Sequence, residues 1–357
     1  MVHEYRSTSK PINALGMILL AGLALFLLWP AAQIFLVLFA ALLIAVFVNS
    51  LAGLVLRWLP ILPVLARAGV IAFLILLLSA FFLTAGPSFS QQTSQLSEQL
   101  PRAMERLQDV ISEQPWNDFL KNLNLGYLRP DAGQVMAGVT GVFSTAFGTA
   151  AHIVVILFIG FYLAIQPEIY IQGLLHLIPK RQRDRISQLL QALDHALSWW
   201  MLGRFASMAT VGVFTTIALT LIGMPMALVL GVIAGVFSFV PYIGPIMSVV
   251  PALLVGLLES PMMAFYVIMI YALVQFLEGN FVTPLIQRRA VLLPPAVLLS
   301  AQFSMGIFYG LLGIIMATPM AVVAIVVIQV LYVRDILEDQ VQLLGQHDDH
   351  RDTDAQT

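Results

Sequence analysis

Tyr271, Gln275 and Glu278 fall at i, i+4 and i+7 in one apolar run, so a helix through them carries all three on one face. Gly279 follows, where such a helix would end. A carboxylate at a helix C-terminus opposes the macrodipole, so Glu278 calls for a compensating partner. That partner is either a transported cation or a basic side chain, Arg288 and Arg289 included. The face reads as a solute or ion contact or as a structural ion pair.

Two further ionisable residues lie inside apolar stretches, where each costs about 2.5–3.5 kcal/mol to insert in a membrane. His152 shares a stripe with Gly141, Thr145 and Gly148 at i, i+4, i+7 and i+11. Small residues admit a second helix closely, so His152 faces protein or a cavity. Its role is a hydrogen bond across helices or a proton or solute contact. Arg204 falls about a turn inside the start of its span. Its long side chain can snorkel to the interface or contact solute.

Backbone supplies the last chemical feature. Phe239-Val240-Pro241-Tyr242-Ile243-Gly244-Pro245 breaks an apolar run in its middle, and Pro251 follows. Each proline removes an N–H and frees a carbonyl, which at membrane depth requires burial in protein or a wet cavity. Transporters bind solutes at such breaks. Adjacent Pro294 and Pro295 mark a second one, ahead of Gly306, Gly310 and Gly313.

These residues must be positioned by membrane helices. Of 357 residues, 60% are hydrophobic and 10% charged, and mean hydropathy is +0.92, whereas soluble domains carry about 25% charged residues. A bilayer core about 30 Å thick needs about 20 apolar residues, and runs of that length recur from Ile12 to Val333. They are too long and continuous for barrel strands. The fold class is therefore all-α, a polytopic helical membrane protein with about eight spans, including broken or re-entrant hairpin-like pairs.

Basic residues set the orientation. Spans at 12–29, 31–56, 67–86, 139–165, 200–222 and 262–280, with a broken pair at 225–258 and an out-and-back pair at 290–333, put one set of charges on one side. That set is Arg6, Lys10, Arg57, Arg67, Lys180, Arg181, Arg183, Arg185, Arg288, Arg289 and Arg334. Both termini are then cytoplasmic. Residues 1–86 form an amino-terminal helical part, 87–138 an amphipathic extracytoplasmic segment, 139–333 the transport core and 334–357 an acidic tail. Leu96, Leu100, Met104, Leu107 and Ile111 give the second part a helical stripe. It serves as a connector, or as a gate or docking surface. A second stripe, Ile186, Leu189, Leu190, Leu193 and Leu197, follows the basic cluster and reads as an interfacial helix on anionic lipid heads.

Several functions are excluded by what is missing. Net charge is −2, which gives no nucleic-acid footprint, and cysteine is absent. The sequence holds no Walker A loop, His-Glu-x-x-His or Gly-x-Ser-x-Gly. No catalytic residue, metal site or cofactor is expected, and the protein is not an enzyme.

The segments Gly223-Met-Pro-Met through Gly231, Phe239 to Pro245 with Pro251, Glu278-Gly279-Asn280 with Pro284, and Gly310 to Pro319 resemble the autoinducer-2 exporter family of bacterial permeases. The match covers about residues 190–335, and the amino-terminal spans fit in layout. The resemblance implies an inner-membrane protein that exports autoinducer-2 or acts as a sodium/proton antiporter. Pentameric assembly is known in the family, so a homo-oligomer is implied. Family motif positions carry over to Pro241, Tyr242, Gly244, Pro245, Glu278, Gly279, Asn280 and Pro284. At Arg204 the family would have a neutral polar residue, often glutamine.

The expectation is an inner-membrane secondary transporter exporting a small polar metabolite. Its partners are a small-molecule or ion substrate, membrane lipids and copies of itself. The pathway comprises Pro241, Tyr242, Gly244, Pro245, Tyr271, Gln275, Glu278 and Asn280, with His152 and Arg204 as proton or solute contacts. A monovalent cation/proton antiporter and a non-transporting scaffold are the alternatives.

Overall fold

The computed structural model describes residues 14–112, 150–282, 284 and 294–334, and over these the backbone is helical with no strand. The first helix, α1 (Ala14–Trp58), runs through Pro30. The expected turn between two spans there is thus replaced by one helix. Loss of one N–H is tolerated in apolar surroundings, which offer backbone groups no competing partner. Helix α2 (Pro63–Ser112) likewise joins the expected span at 67–86 to the amphipathic stretch after it. Its membrane part presents Phe73, Leu76 and Leu83 outward. Its later part docks on the protein. Leu96 is buried with the carboxy-terminal helices, and Gln92 Oε1 accepts from Val229 N at 3.2 Å. Residues 113–138 lie outside the described ones.

Helices α3 (Ala150–Ile165) and α4 (Pro167–His176) meet at 82°. Pro167 starts α4 at a position where its missing N–H costs nothing. Arg67 ties the bend, donating to Ile165 O at 3.2 Å and pairing with Glu168 at 3.0 Å.

Helix α5 (Arg183–Leu221) contains the stripe expected to lie separately on the lipid surface. That expectation is corrected. Leu189 and Leu197 are buried against α1 and the last helix, so the stripe covers protein.

Three helical hairpins follow. Helix α6 (Ala227–Phe237) returns along α5 after a turn in which Gly223 and Met226 take positive φ. A Cβ on Gly235 would lie 3.0 Å from Gly212 Cα, and one on Gly231 would lie 2.8 Å from Thr216 N. The two backbones touch, as small-residue seams in membranes allow. Helices α7 (Ile243–Glu259) and α8 (Pro261–Leu277) form the second hairpin. Ser260 caps α8 by accepting from Met263 N at 3.0 Å. A single π-turn, Glu278–Val282, ends α8.

The third hairpin is α9 (Pro295–Ile328), which reverses at Gly310 (φ 61°, ψ −143°). A side chain would resist that conformation. The reversal brings residue 302 beside 318 and 306 beside 314.

Among the described residues five helices are long and apolar enough to cross a bilayer, or six if the bent α3–α4 pair counts as one span. This count, which takes the folded-back α9 as one helix, does not confirm the eight or so expected. Residues 14–29 merge into α1, and α6 and α7, at 11 and 17 residues, fall short of a bilayer's thickness. The broken pair at 225–258 is present, and Pro295–Ile328 folds back within the range expected for the out-and-back pair.

Helix α5 joins two apolar cores. Its first half, Leu189 to Met201, packs with α1 and α9. Its second half, Val211 to Leu219, packs with α6, α7 and α8. Arg204 and Ser207 fall between the two.

Candidate functional site

Four elements converge on that junction. Helix α5 supplies Trp200, Arg204 and Ser207, all buried and within two turns on one face. The irregular residues 238–242 between α6 and α7 lie against it, with Phe239 edge-on to Trp200 at 5.5 Å between centroids. Tyr242 is within electrostatic reach of Arg204. The end of α8 brings Glu278, and α9 brings Gln302.

Glu278 is 8% exposed. Its Oε1 accepts from Ser207 Oγ, its Oε2 accepts from Gln275 Nε2 at 3.2 Å, and its charge acts on Arg204. Arg204 is also 8% exposed, and its Nε has no hydrogen-bond partner among the described residues. The guanidinium therefore does not snorkel to the interface. A carboxylate within electrostatic reach offsets part of the cost of burying that guanidinium in an apolar medium. Arg288 and Arg289, the partners expected for Glu278, lie outside the described residues.

The break itself is a strained turn. Ile243 N donates to Pro241 O at 2.8 Å across Tyr242, whose φ of 63° and ψ of −57° make this the strained form of the three-residue turn. Gly244 is obligatory beside it, because a Cβ there would lie 1.8 Å from the Phe237 carbonyl oxygen. Pro245 has no N–H for the Pro241 carbonyl, and Gln302 Nε2 supplies a donor at 3.2 Å. The same amide donates to Thr318 Oγ1 at 3.3 Å, which fixes its orientation and leaves Oε1 buried without a partner among the described residues.

The expected pathway residues are thus distributed unevenly. Pro241, Tyr242, Gly244, Pro245, Gln275, Glu278 and Arg204 gather at the junction. Tyr271 is buried two turns along α8. Asn280 is exposed and donates to Phe276 O at 2.9 Å within its own turn, away from the cluster. His152 lies in α3, and its side chain is outside the described ones. Sequence reasoning missed Ser207 and Gln302. The signal for Gln302 was present, since no other amide or charged side chain occurs between Val291 and Ile328.

The junction gathers a buried cation, a carboxylate, two amides and exposed Tyr242, groups of the kind that recognise a polar solute or ion. A separate concavity of about 530 Å³ between α1, α3 and α4 is lined by Leu38, Leu42, Phe158, Ile159, Tyr162, Leu163 and Tyr170, a wall for lipid rather than for a polar solute.

Several bacterial proteins are similar in sequence to this chain. YueF of Bacillus subtilis (strain 168) is 24% identical over 257 residues, covering 68% of this chain and 70% of that protein. YrrI of the same organism is 29% identical over 260 residues, covering 70% and 73%. A Borreliella burgdorferi protein is 26% identical over 200 residues, covering 55% of each. All three bear names that propose transport and state no solute. The profile of the AI-2E family transporters matches residues 16–333. A helical membrane chain with broken and folded-back pairs around a buried ionic centre, matched over nearly its whole length, belongs to that family of multi-pass membrane transporters.

Proposed function

We propose that this chain is a bacterial inner-membrane secondary transporter that exports a small polar metabolite or signal of the autoinducer-2 kind. Both termini face the cytoplasm, by the sidedness of the basic residues, and the working unit is a homo-oligomer, by the family resemblance. The observation that carries the reading is the burial of Arg204 and Glu278 together, where α5, the 238–242 break and the α9 hairpin meet. Two opposite charges within electrostatic reach in an apolar interior can accept a polar solute between them without leaving a bare charge. The irregular backbone beside it supplies a pathway wall that straight helices cannot.

Profiling of metabolites outside cells that carry wild type, Glu278→Gln or no protein tests the reading. Wild type alone should enrich a solute outside, with enrichment compared per amount of folded Glu278→Gln protein in the membrane. Equal enrichment by the variant defeats the assignment of the site.

The buried carboxylate also favours a second reading, a monovalent cation/proton antiporter with Glu278 as the ion carrier. Dye quenching in everted vesicles separates the two. Dequenching on adding Na⁺ or K⁺, abolished by Glu278→Gln, selects the antiporter.

A further inference from the structure

The seam between α5 and α8 continues past the Ser207–Glu278 contact. On α5 the buried residues Ser207, Val211, Thr215 and Leu219 form one row at steps of four. Helix α8 carries Tyr271 and Val274 on the face that ends at Glu278. The Ser207–Glu278 bond sets the register of these antiparallel helices. At 1.5 Å per residue, Thr215 lies about 12 Å along from Ser207, and Tyr271 lies about 10 Å along from Glu278 in the same direction. The two residues stand at about one level of the seam, between Val211 and Leu219 of α5 and Val274 of α8, which share one core.

Both are buried without a partner. Thr215 is 0% exposed and Tyr271 is 8% exposed, and neither Oγ1 nor the phenol oxygen has a hydrogen bond among the described residues. Helical threonines ordinarily turn back on their own backbone. Thr216 does so onto Gly212 O at 2.8 Å, and Thr220 onto Thr216 O at 2.7 Å. Thr215 forgoes that bond in an apolar shell. Buried polar groups in native proteins are almost always satisfied, so two orphans at one level of one seam point to an occupant.

We propose that Thr215 and Tyr271 form a second polar station on the solute path, a binding site for an uncharged hydrogen-bonding group such as a hydroxyl. This rests on the transport reading above. Two hydroxyls can each donate or accept, which suits a group that does both. The α5 and α8 rows carry no charge between this level and Ser207 or Glu278, so an ion would be stranded here.

The chain has no cysteine, so single cysteines report access cleanly. Ser207→Cys, Thr215→Cys and Leu219→Cys proteins in vesicles are treated with 2-hydroxyethyl methanethiosulfonate and with its trimethylammonium and sulfonate analogues. A thiol in a dry apolar core stays protonated and inert, so Thr215→Cys should react with the hydroxyethyl reagent at least about tenfold faster than Leu219→Cys, and about tenfold faster than with either charged reagent. Reaction at Ser207→Cys but not at Thr215→Cys overturns the station and leaves the transport reading standing. Reaction at neither overturns both. Equal rates at Thr215→Cys and Leu219→Cys indicate entry through lipid and overturn the station. Faster labelling by a charged reagent overturns the uncharged class. Should Thr215→Cys not fold, Tyr271→Cys carries the same comparison.

Discussion

Gln302 donates to the carbonyl of Pro241, the oxygen that a regular helix would have satisfied with the N–H that Pro245 lacks. A side chain on the folded-back hairpin thereby completes the backbone of the broken helix, and the two irregular elements hold each other.

Gln302→Leu should therefore destabilise the protein by about 1–3 kcal/mol, because it strips a buried carbonyl of a donor at little change in volume. Thermal unfolding of purified protein measures it. An unchanged melting temperature would show that the Pro241 carbonyl needs only Ile243 N.

Arg204 and Glu278 should behave as a coupled pair. Arg204→Gln and Glu278→Gln each remove one of two opposite charges within electrostatic reach, and each should lower stability. The double substitution should cost clearly less than their sum. A double-mutant cycle by denaturation gives the coupling, and strict additivity would mean the two charges do not interact.

Two glycines in the site region should respond oppositely. Gly244→Ala places a Cβ 1.8 Å from a backbone oxygen, so the break must shift, at a cost of about 1–3 kcal/mol or more. Gly279→Ala meets nothing within 4 Å and should be neutral or stabilising by up to about 1 kcal/mol. Melting curves of the two alanine variants decide the matter, and equal effects would contradict the packing.

The reversal at Gly310 predicts a disulfide. In an unbroken helix residues 306 and 314 would be about 12 Å apart along the axis, far beyond the reach of a bridge. In the hairpin a Cβ at 306 lies 2.9 Å from Ile314. Oxidised Gly306→Cys/Ile314→Cys should lose both free thiols within one chain, read by mass after alkylation. Retention of both thiols would restore a straight helix.

Orientation is open to direct test. A reporter after Thr357 should be cytoplasmic and one near Asn117 periplasmic. Both on one side would reverse the proposed topology.

The sequence by itself determined the medium and the breaks. Long uncharged runs call for membrane helices, and Pro241 and Pro245 mark the break in one of them, whereas the reversal at Gly310 falls inside what the sequence reads as a helix. Glu278 was legible too, since a carboxylate in such a run is conspicuous wherever it points.

Tertiary structure alone decided the partners. Ser207 and Glu278 are 71 residues apart and Pro241 and Gln302 are 61 apart, separations at which one sequence holds no record of contact. Arg204 read as an interfacial arginine because its depth was judged from its place in the run. It is buried because α5 begins at Arg183 and carries it to the junction of two cores. Pro30 and the stripe at 186–197 misled for a related reason. A helix end is a balance between local breakers and the packing on either side, and packing is a property of the neighbours a helix finds.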